Sequence, residues 1–327
     1  MLSRVASSIY WLGRYLERAE NYARFIDVNF NLMLDLPPDL KAQWEPLVVT
    51  TGDQDLYKSK YPNGFERKDV VHFLAFDLDN PNSIISSVSF ARENARVIRE
   101  NLTKETWEYL NELYHFVKKR AEKKDWSKDD PRAFFESVKN QVLLLYGLAE
   151  STVARTEAWY FRQLGLYLER ADKTSRILDV KYHILLPSPN MVGTPLDYLH
   201  WTALLKSVTA FNTYRKFYGN IEPAKVVEFL VLNREFPRSV FFCIKMAEKC
   251  LHRISGSSHT GYKNTAEKAM GELRSNLEFT DVEEIFEMGL HEYLDQLQVK
   301  TNAISDKIND NFFQIKHNFI SQNTQFQ

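Results

Sequence analysis

Along residues 3–34 apolar side chains return every three or four positions, the spacing of one helix face, and the run stops at Pro37-Pro38. Residues 155–186 carry the same pattern and end at Leu186-Pro187-Ser188-Pro189-Asn190. Shorter blocks lie between and after them. Residues 69–76 predict a short helix that ends before Asp79-Asn80-Pro81-Asn82. Ser83 is placed to cap a helix reaching about Asn101, and Thr103 opens another, with Glu105 and Glu108 near its positive end. Pro131 reads as the first turn of a helix capped by an Asp. The segment 41–60 is ambiguous, but its counterpart 198–217 has a helical pattern, so both are read as helix. Residues 118–130 read as a solvated charged connector, and the chain past 311 as a polar, frayed tail. The fold class that follows is all-α, a helical bundle.

One charged phrase occurs twice. Residues 14–24 read RYLERAENYAR, and about 150 residues later 166–176 read LYLERADKTSR. Other landmarks recur in the same order: Trp44 with Trp201, YPNGFERKDVVHFLAF with YGNIEPAKVVEFLVL, and SVSFARENARVIRE with CIKMAEKCLHRISG. The expected architecture is therefore two pseudo-repeated helical modules, near 1–125 and 155–300. A connecting helix over 130–155 joins them, in a single domain over 1–310 followed by the tail 311–327.

On a helical wheel Glu17 shares a polar stripe with Glu20, Asn21 and Arg24, while Leu12, Tyr15, Ala19, Tyr22, Ala23 and Ile26 spread over a wide apolar arc. An arc that broad places the helix centrally, so its charges need partners. Glu17 and Glu20 are like charges at i,i+3, as are Glu169 and Asp172, an arrangement that opposes an isolated helix. Arg24 can neutralise Glu20 and Arg176 can neutralise Asp172, each at i,i+4. Glu17 and Glu169 are left needing a donor. Arg18 and Arg170 point sideways from each helix and fit as donors to the other copy. Two readings follow. The set is a structural ion-pair network that fixes the register of two halves, or the same groups face a cleft and hold a ligand, with Glu17 or Glu169 as general acid or base.

Composition narrows the field. The chain has 327 residues, a formal net charge of −1, 44% hydrophobic and 26% charged residues. That balance supplies no global field for nucleic acid or an anionic membrane. No window is apolar enough to span a bilayer, and the opening stretch is too interrupted by Arg14, Glu17 and Arg18 for a signal peptide. Cys243 and Cys250 lie two helical turns apart, too far for a disulfide, which suits two buried thiols in a reducing, cytoplasmic setting. Arg92 and Arg96 with Arg99, and Arg234 with Arg238, form clusters able to grip an anion or to pair with neighbouring glutamates. Glu112-Leu113-Tyr114-His115 has the E-x-x-H spacing of di-metal bundles, but the second copy offers no match. A metal-binding bundle is the weakest alternative, and no metal or other cofactor is expected: zinc spacings and phosphate-cradling glycine motifs are missing.

The opening MLSRVASSIYWLGRYLERAENYAR, with SVSFARENARVIRE, TWEYLNELY and EFPRSVFFC, resembles the bacterial alpha-E domain family over nearly the whole chain, in a stand-alone form. The motif positions carried over are Glu17-Arg18 and Glu169-Arg170. The resemblance implies an all-helical domain whose partners are a circularly permuted ATP-grasp ligase and a transglutaminase-like peptidase, in a system that forms or processes peptide or amide bonds. The leading reading is an accessory protein that binds such a ligase, or a peptide, through the cleft between its two copies. The rival is an enzyme with a Glu/Arg site between the copies.

Overall fold

The computed structural model describes residues 1–35, 44–123, 131–184, 194–258 and 261–314. Among them every regular element is helical. The chain runs through α1 (Ser3–Asp35), α2 (Glu45–Thr51), α3 (Gln54–Lys60), α4 (Arg67–Ala75), α5 (Ile84–Val97), α6 (Lys104–Ala121) and α7 (Arg132–Thr152). It continues through α8 (Glu157–Ile184), α9 (Pro195–Ser207), α10 (Phe211–Tyr218), α11 (Pro223–Val231), α12 (Val240–Ser255), α13 (Thr265–Phe279), α14 (Val282–Met288) and α15 (Leu290–Ile308).

α1 and α8 pack against each other at the centre; α5 and α7 also cover α1, while α12 and α15 cover α8. The wide apolar arcs of the two helices explain this arrangement, because each has neighbours on several sides. Two hydrophobic clusters result, one around α1 and one around α8. Each borrows a ring from the other's axis: Phe161 of α8 lies in the first cluster and Tyr10 of α1 in the second. Short polar side chains start the outer helices. Ser83 Oγ accepts from Ser86 N–H and Thr103 Oγ1 from Thr106 N–H, and Ser239 Oγ accepts from Phe242 N–H.

The structure departs from the sequence pattern in five places. The helix expected over 41–60 is two, α2 and α3, because Gly52 adopts φ 78° and turns the chain. The helix expected over 198–217 also divides, into α9 and α10, at Thr209 with φ 57°. The α-helix expected to reach Asn101 ends at Val97 and tightens into a 3-10 turn over Arg99–Asn101. Pro131 is the residue before α7 rather than its first turn, and its carbonyl accepts from Phe134 and Phe135 N–H. Residues 311–313 are not frayed: Phe313 packs 5.3 Å from the Tyr10 ring and 6.0 Å from Phe161, measured between ring centroids. The expected stops at Pro37-Pro38 and Leu186–Asn190, the Asp proposed to cap α7 and the tail beyond Gln314 lie outside the described residues.

Candidate functional site

The central crossing of α1 and α8 depends on two glycines. A Cβ on Gly13 would stand 2.3 Å from the Arg162 carbonyl oxygen, and one on Gly165 would stand 2.1 Å from the Tyr10 carbonyl oxygen. Any side chain at either position forces the helix backbones apart. The motif residues follow these glycines directly, so the close approach sets the reach of each charged side chain across the crossing.

Glu17 is 0% exposed, and Arg170 of α8 grips it from the side, Nε to Oε1 at 2.9 Å and Nη2 to Oε2 at 2.9 Å. Glu169 is also 0% exposed, and Arg18 of α1 grips it the same way, Nε to Oε1 at 2.7 Å and Nη2 to Oε2 at 3.0 Å. The exchange is reciprocal and forked on both sides, the strong geometry for guanidinium and carboxylate. The tyrosine three residues before each arginine lies under it: Arg18 is 5.6 Å from the Tyr15 ring centroid and Arg170 is 5.9 Å from that of Tyr167. Each letter of Y-L-E-R thus has a place: a ring under the guanidinium, a core leucine, a buried acid and a crossing cation.

The remaining acids are paired locally. Arg24 pairs with Glu20 and Arg176 Nε with Asp172 at 2.9 Å, both one turn along the same helix. Further groups complete the shell around Glu17. Arg238 Nη1 donates to Glu17 at 2.8 Å and Arg238 Nη2 to Glu20 at 3.1 Å, Tyr146 O–H donates at 2.9 Å, and Asn21 Nδ2 at 3.0 Å. Around Glu169 the additions are Arg14 Nε at 2.8 Å and the Lys173 ammonium at 3.5 Å. Arg18 also donates from Nη1 to Asn82 at 2.6 Å, and Asn82 in turn donates to Asp53.

Burial by itself would raise both glutamates. The charges of Arg170 and Arg238 overcome it and hold Glu17 down at about 2, and Arg18, Lys173 and Arg14 hold Glu169 well below the carboxylate range. Asp172 is lowered against its burial by Lys173 and Arg176. In spite of burial, Arg18 and Arg170 are pushed up by Glu169 and Glu17, and Arg14 by Tyr10 and Glu169. Two cations go the other way: burial lowers Arg238, and burial with the like charge of Arg238 lowers Arg24 to about 9. Crowding of like charges adds to burial. Arg14, Arg18, Arg24, Arg170, Lys173, Arg176 and Arg238 outnumber Glu17, Glu20, Glu169 and Asp172. The arginines remain charged at neutral pH.

Chemically, a general acid or base needs a titration near the working pH and an atom within reach of substrate. Glu17 and Glu169 have neither property here. The other arginine candidates sit apart from the network. Arg92 Nε donates to Asn111 at 2.6 Å, Arg96 pairs with Glu93 at 2.7 Å, and Arg234 approaches Glu278 at 3.9 Å. Among the described residues no group of three His, Cys, Asp or Glu side chains is placed to hold a metal, and Glu112 and His115 belong to none. Cys243 and Cys250 are buried free thiols, both raised by burial to about 12. Among the described residues no helix is long and apolar enough to cross a membrane.

The twofold use of a buried Glu-Arg pair is the feature that decides the family. The chain belongs to the Alpha-E family. That family is described as a predicted alpha-helical domain with a conserved ER motif, and the match covers residues 1–313. Glu17-Arg18 and Glu169-Arg170 are the Glu-Arg pairs of this Alpha-E chain's repeated phrase. The chain is similar to an uncharacterized protein of Mycobacterium bovis and to two of Mycobacterium tuberculosis, each 23% identical over 302 residues. The aligned part is 87% of this chain and 33% of each relative, so the chain spans about a third of the length of these proteins. No solved structure matches it.

Sequence reasoning passed over Arg14, Tyr146 and Asn82, and it placed Lys173 on the polar side with Glu169 and Asp172 without giving it a role. Arg14 and Lys173 stand where the other copy of the motif has Leu166 and Asn21, so the repeat drew attention away from them. Gly13 and Gly165 carried a usable signal, a glycine held at the same place in both phrases.

Proposed function

We propose that this Alpha-E chain is an accessory helical protein that binds a partner of the ATP-grasp ligase class, or a peptide, in a system that makes or processes amide bonds. In this reading the Glu-Arg motif is an internal lock and the outer helices make the recognition surface. The observation that carries it is the state of the two motif glutamates, dry and saturated by guanidiniums from the opposite helix. A site in that state holds two helices in register rather than turning over substrate. The two halves are read as pseudo-repeated modules, supported by the reciprocal pairs and reciprocal glycine contacts. The greater length of the mycobacterial relatives fits a domain that works beside further protein chain. Its thiols and lack of a spanning helix among the described residues fit a cytoplasmic setting.

Co-purification with the products of neighbouring genes, with and without ATP and magnesium, tests the partner. The expected result is a complex that is lost when α1 and α8 are separated by Gly13→Leu. Turnover of a peptide or anionic substrate by the isolated chain, abolished by Glu17→Gln in a protein that remains folded, would replace this reading with the enzymatic one.

A further inference from the structure

A surface groove runs along α13, away from the ion-pair network. The seam between α13 and α15 holds two hollows, of about 230 Å³ and about 130 Å³. Leu273, Asn276 and Lys300 border both, so the hollows are consecutive parts of one seam. Ala269 and Ala303 leave the space at its far end, because neither has a side chain beyond Cβ. At the C-terminal end of α13 a third hollow, of about 300 Å³, opens towards α11 and α14, and Thr280 borders it as well as the seam. From Ala269 to Thr280 the groove follows α13 for about 17 Å at helical rise.

The chemistry changes along the groove. Leu273, Leu297 and Ile304 line the seam. Glu228, Glu278, Asp281 and Glu283 line the corner against one cation, Arg234. These acids are part of a longer run: residues 278–296 hold seven acids and no lysine or arginine, in a chain whose formal net charge is −1. Glu278 meets Arg274, and Arg234 at 3.9 Å. Among the described residues no lysine or arginine pairs with Asp281, Glu283, Glu284 or Glu287. Large apolar side chains stand out of the same surface: Phe279 is 83% exposed, Met288 50% and Phe286 42%. Exposed aromatic and methionine side chains beside unpaired like charge suit a cover of opposite charge with apolar side chains of its own.

We propose that this groove docks a basic amphipathic helix of a partner protein, about three turns long, with its apolar residues in the α13–α15 seam and its lysines or arginines over the acidic corner. The inference rests on the accessory reading and adds to it the place of the recognition surface and the chemistry of what is recognised. Apolar burial supplies most of the affinity, since a surface ion pair is weak by itself, and the acids supply orientation and speed of encounter. A small polycation fits this surface less well: it would occupy the corner and leave the seam, Phe279 and Met288 uncovered.

The probe is a synthetic peptide of about 14 residues, with leucines on one helical face and lysines on the other, titrated into the full chain. Its controls are the same composition shuffled so that the leucines share no face, the same pattern with glutamate for lysine, and spermine. The patterned lysine peptide binds with one molecule per chain, about tenfold or more tighter than any control. Glu283→Lys/Glu284→Lys weakens it about tenfold or more through charge, and Ala303→Trp does so by filling the seam. A readout on the unaltered protein guards against variants that fail to fold. With the methionine methyls labelled with ¹³C, the Met288 resonance moves as peptide is added and that of Met33, on α1, does not. A Met288 resonance that stays in place overturns the proposal. Equal affinity for the shuffled peptide or for spermine overturns it, as does an affinity unchanged in either variant. The titration needs no neighbouring gene product, so its failure removes this occupant of the groove and leaves the co-purification result standing.

Discussion

Glu17 and Glu169 have the same burial and the same forked arginine from the facing helix, yet the rest of their surroundings differ. Glu17 takes its second cation from Arg238, on the loop before α12, and adds the Tyr146 hydroxyl and the Asn21 amide. Glu169 takes both extra cations, Arg14 and Lys173, from the two central helices themselves. The reciprocal pair is thus common to both sides, and the additional charge is recruited from whichever element lies at hand. A buried carboxylate constrains the number of donors around it more tightly than their origin.

Removal of each acid should expose that difference most strongly. Glu169→Leu takes the shared acid from three cations, leaving Arg14 and Arg18 only neutral partners, Tyr10 and Asn82 among them, and Lys173 only Asp172, and should cost about 3–5 kcal/mol in urea unfolding. Glu17→Leu should cost less, because Arg238 keeps Glu20 and Arg170 keeps the Pro237 carbonyl. Equal losses would break the comparison. Charge exchange sharpens it further: Glu17→Arg alone should not fold, and adding Arg170→Glu should recover only part of the stability, since Arg238 then faces a cation.

Closing the gap between the central helices comes next in size. Gly13→Ala and Gly165→Ala each place a methyl group against backbone and should cost about 1–3 kcal/mol or more. The double variant should lose less than the sum, because one separation of α1 from α8 relieves both contacts. Full additivity in the denaturation midpoints would mean that the glycines act independently.

Acid should probe the same network more gently. Glu17 is depressed from 4.5 to about 2, so it adds stability that is fully present above its unfolded value and is lost as pH falls through the window from 4.5 to about 2. Glu169, well below its ordinary value, acts with the same sign. The melting temperature should therefore hold steady above that window and drop steeply within it. Glu17→Gln should flatten the drop. A melting temperature that rises on acidification in that range would contradict the pairing.

The smallest effect concerns the two turns that end α2 and α9. Gly52 has φ 78° at the first and Thr209 has φ 57° at the second, where a β-branched residue is strained. Thr209→Gly should stabilise by up to about 1 kcal/mol, the left-handed cost less the glycine entropy. Gly52→Ala should destabilise by a similar amount, with Arg176 Nη1 only 3.2 Å from the new methyl. A thermal shift of the same sign in both variants would remove the contrast.

Among the particular elements, the two long helices were legible because their apolar spacing is unbroken over many turns, and the motif acids announced themselves as repeated like charges. The breaks at Gly52 and Thr209 were not legible. A single left-handed residue leaves the apolar spacing on either side intact, and threonine carries no turn signal. The packing of Phe313 was hidden for another reason: its partners, Tyr10 and Phe161, are remote in sequence and the flanking residues are polar.

By itself the sequence determined an all-helical chain with two central helices and four acids in need of cations, because helix periodicity and the cost of buried charge act locally. Only the tertiary structure decided which cations answer. Arg14 reaches Glu169 across the crossing that Gly13 and Gly165 permit, while Arg238 and Tyr146 reach Glu17 from the loop before α12 and from α7. Those facts depend on distances between residues far apart along the chain, which no local pattern encodes.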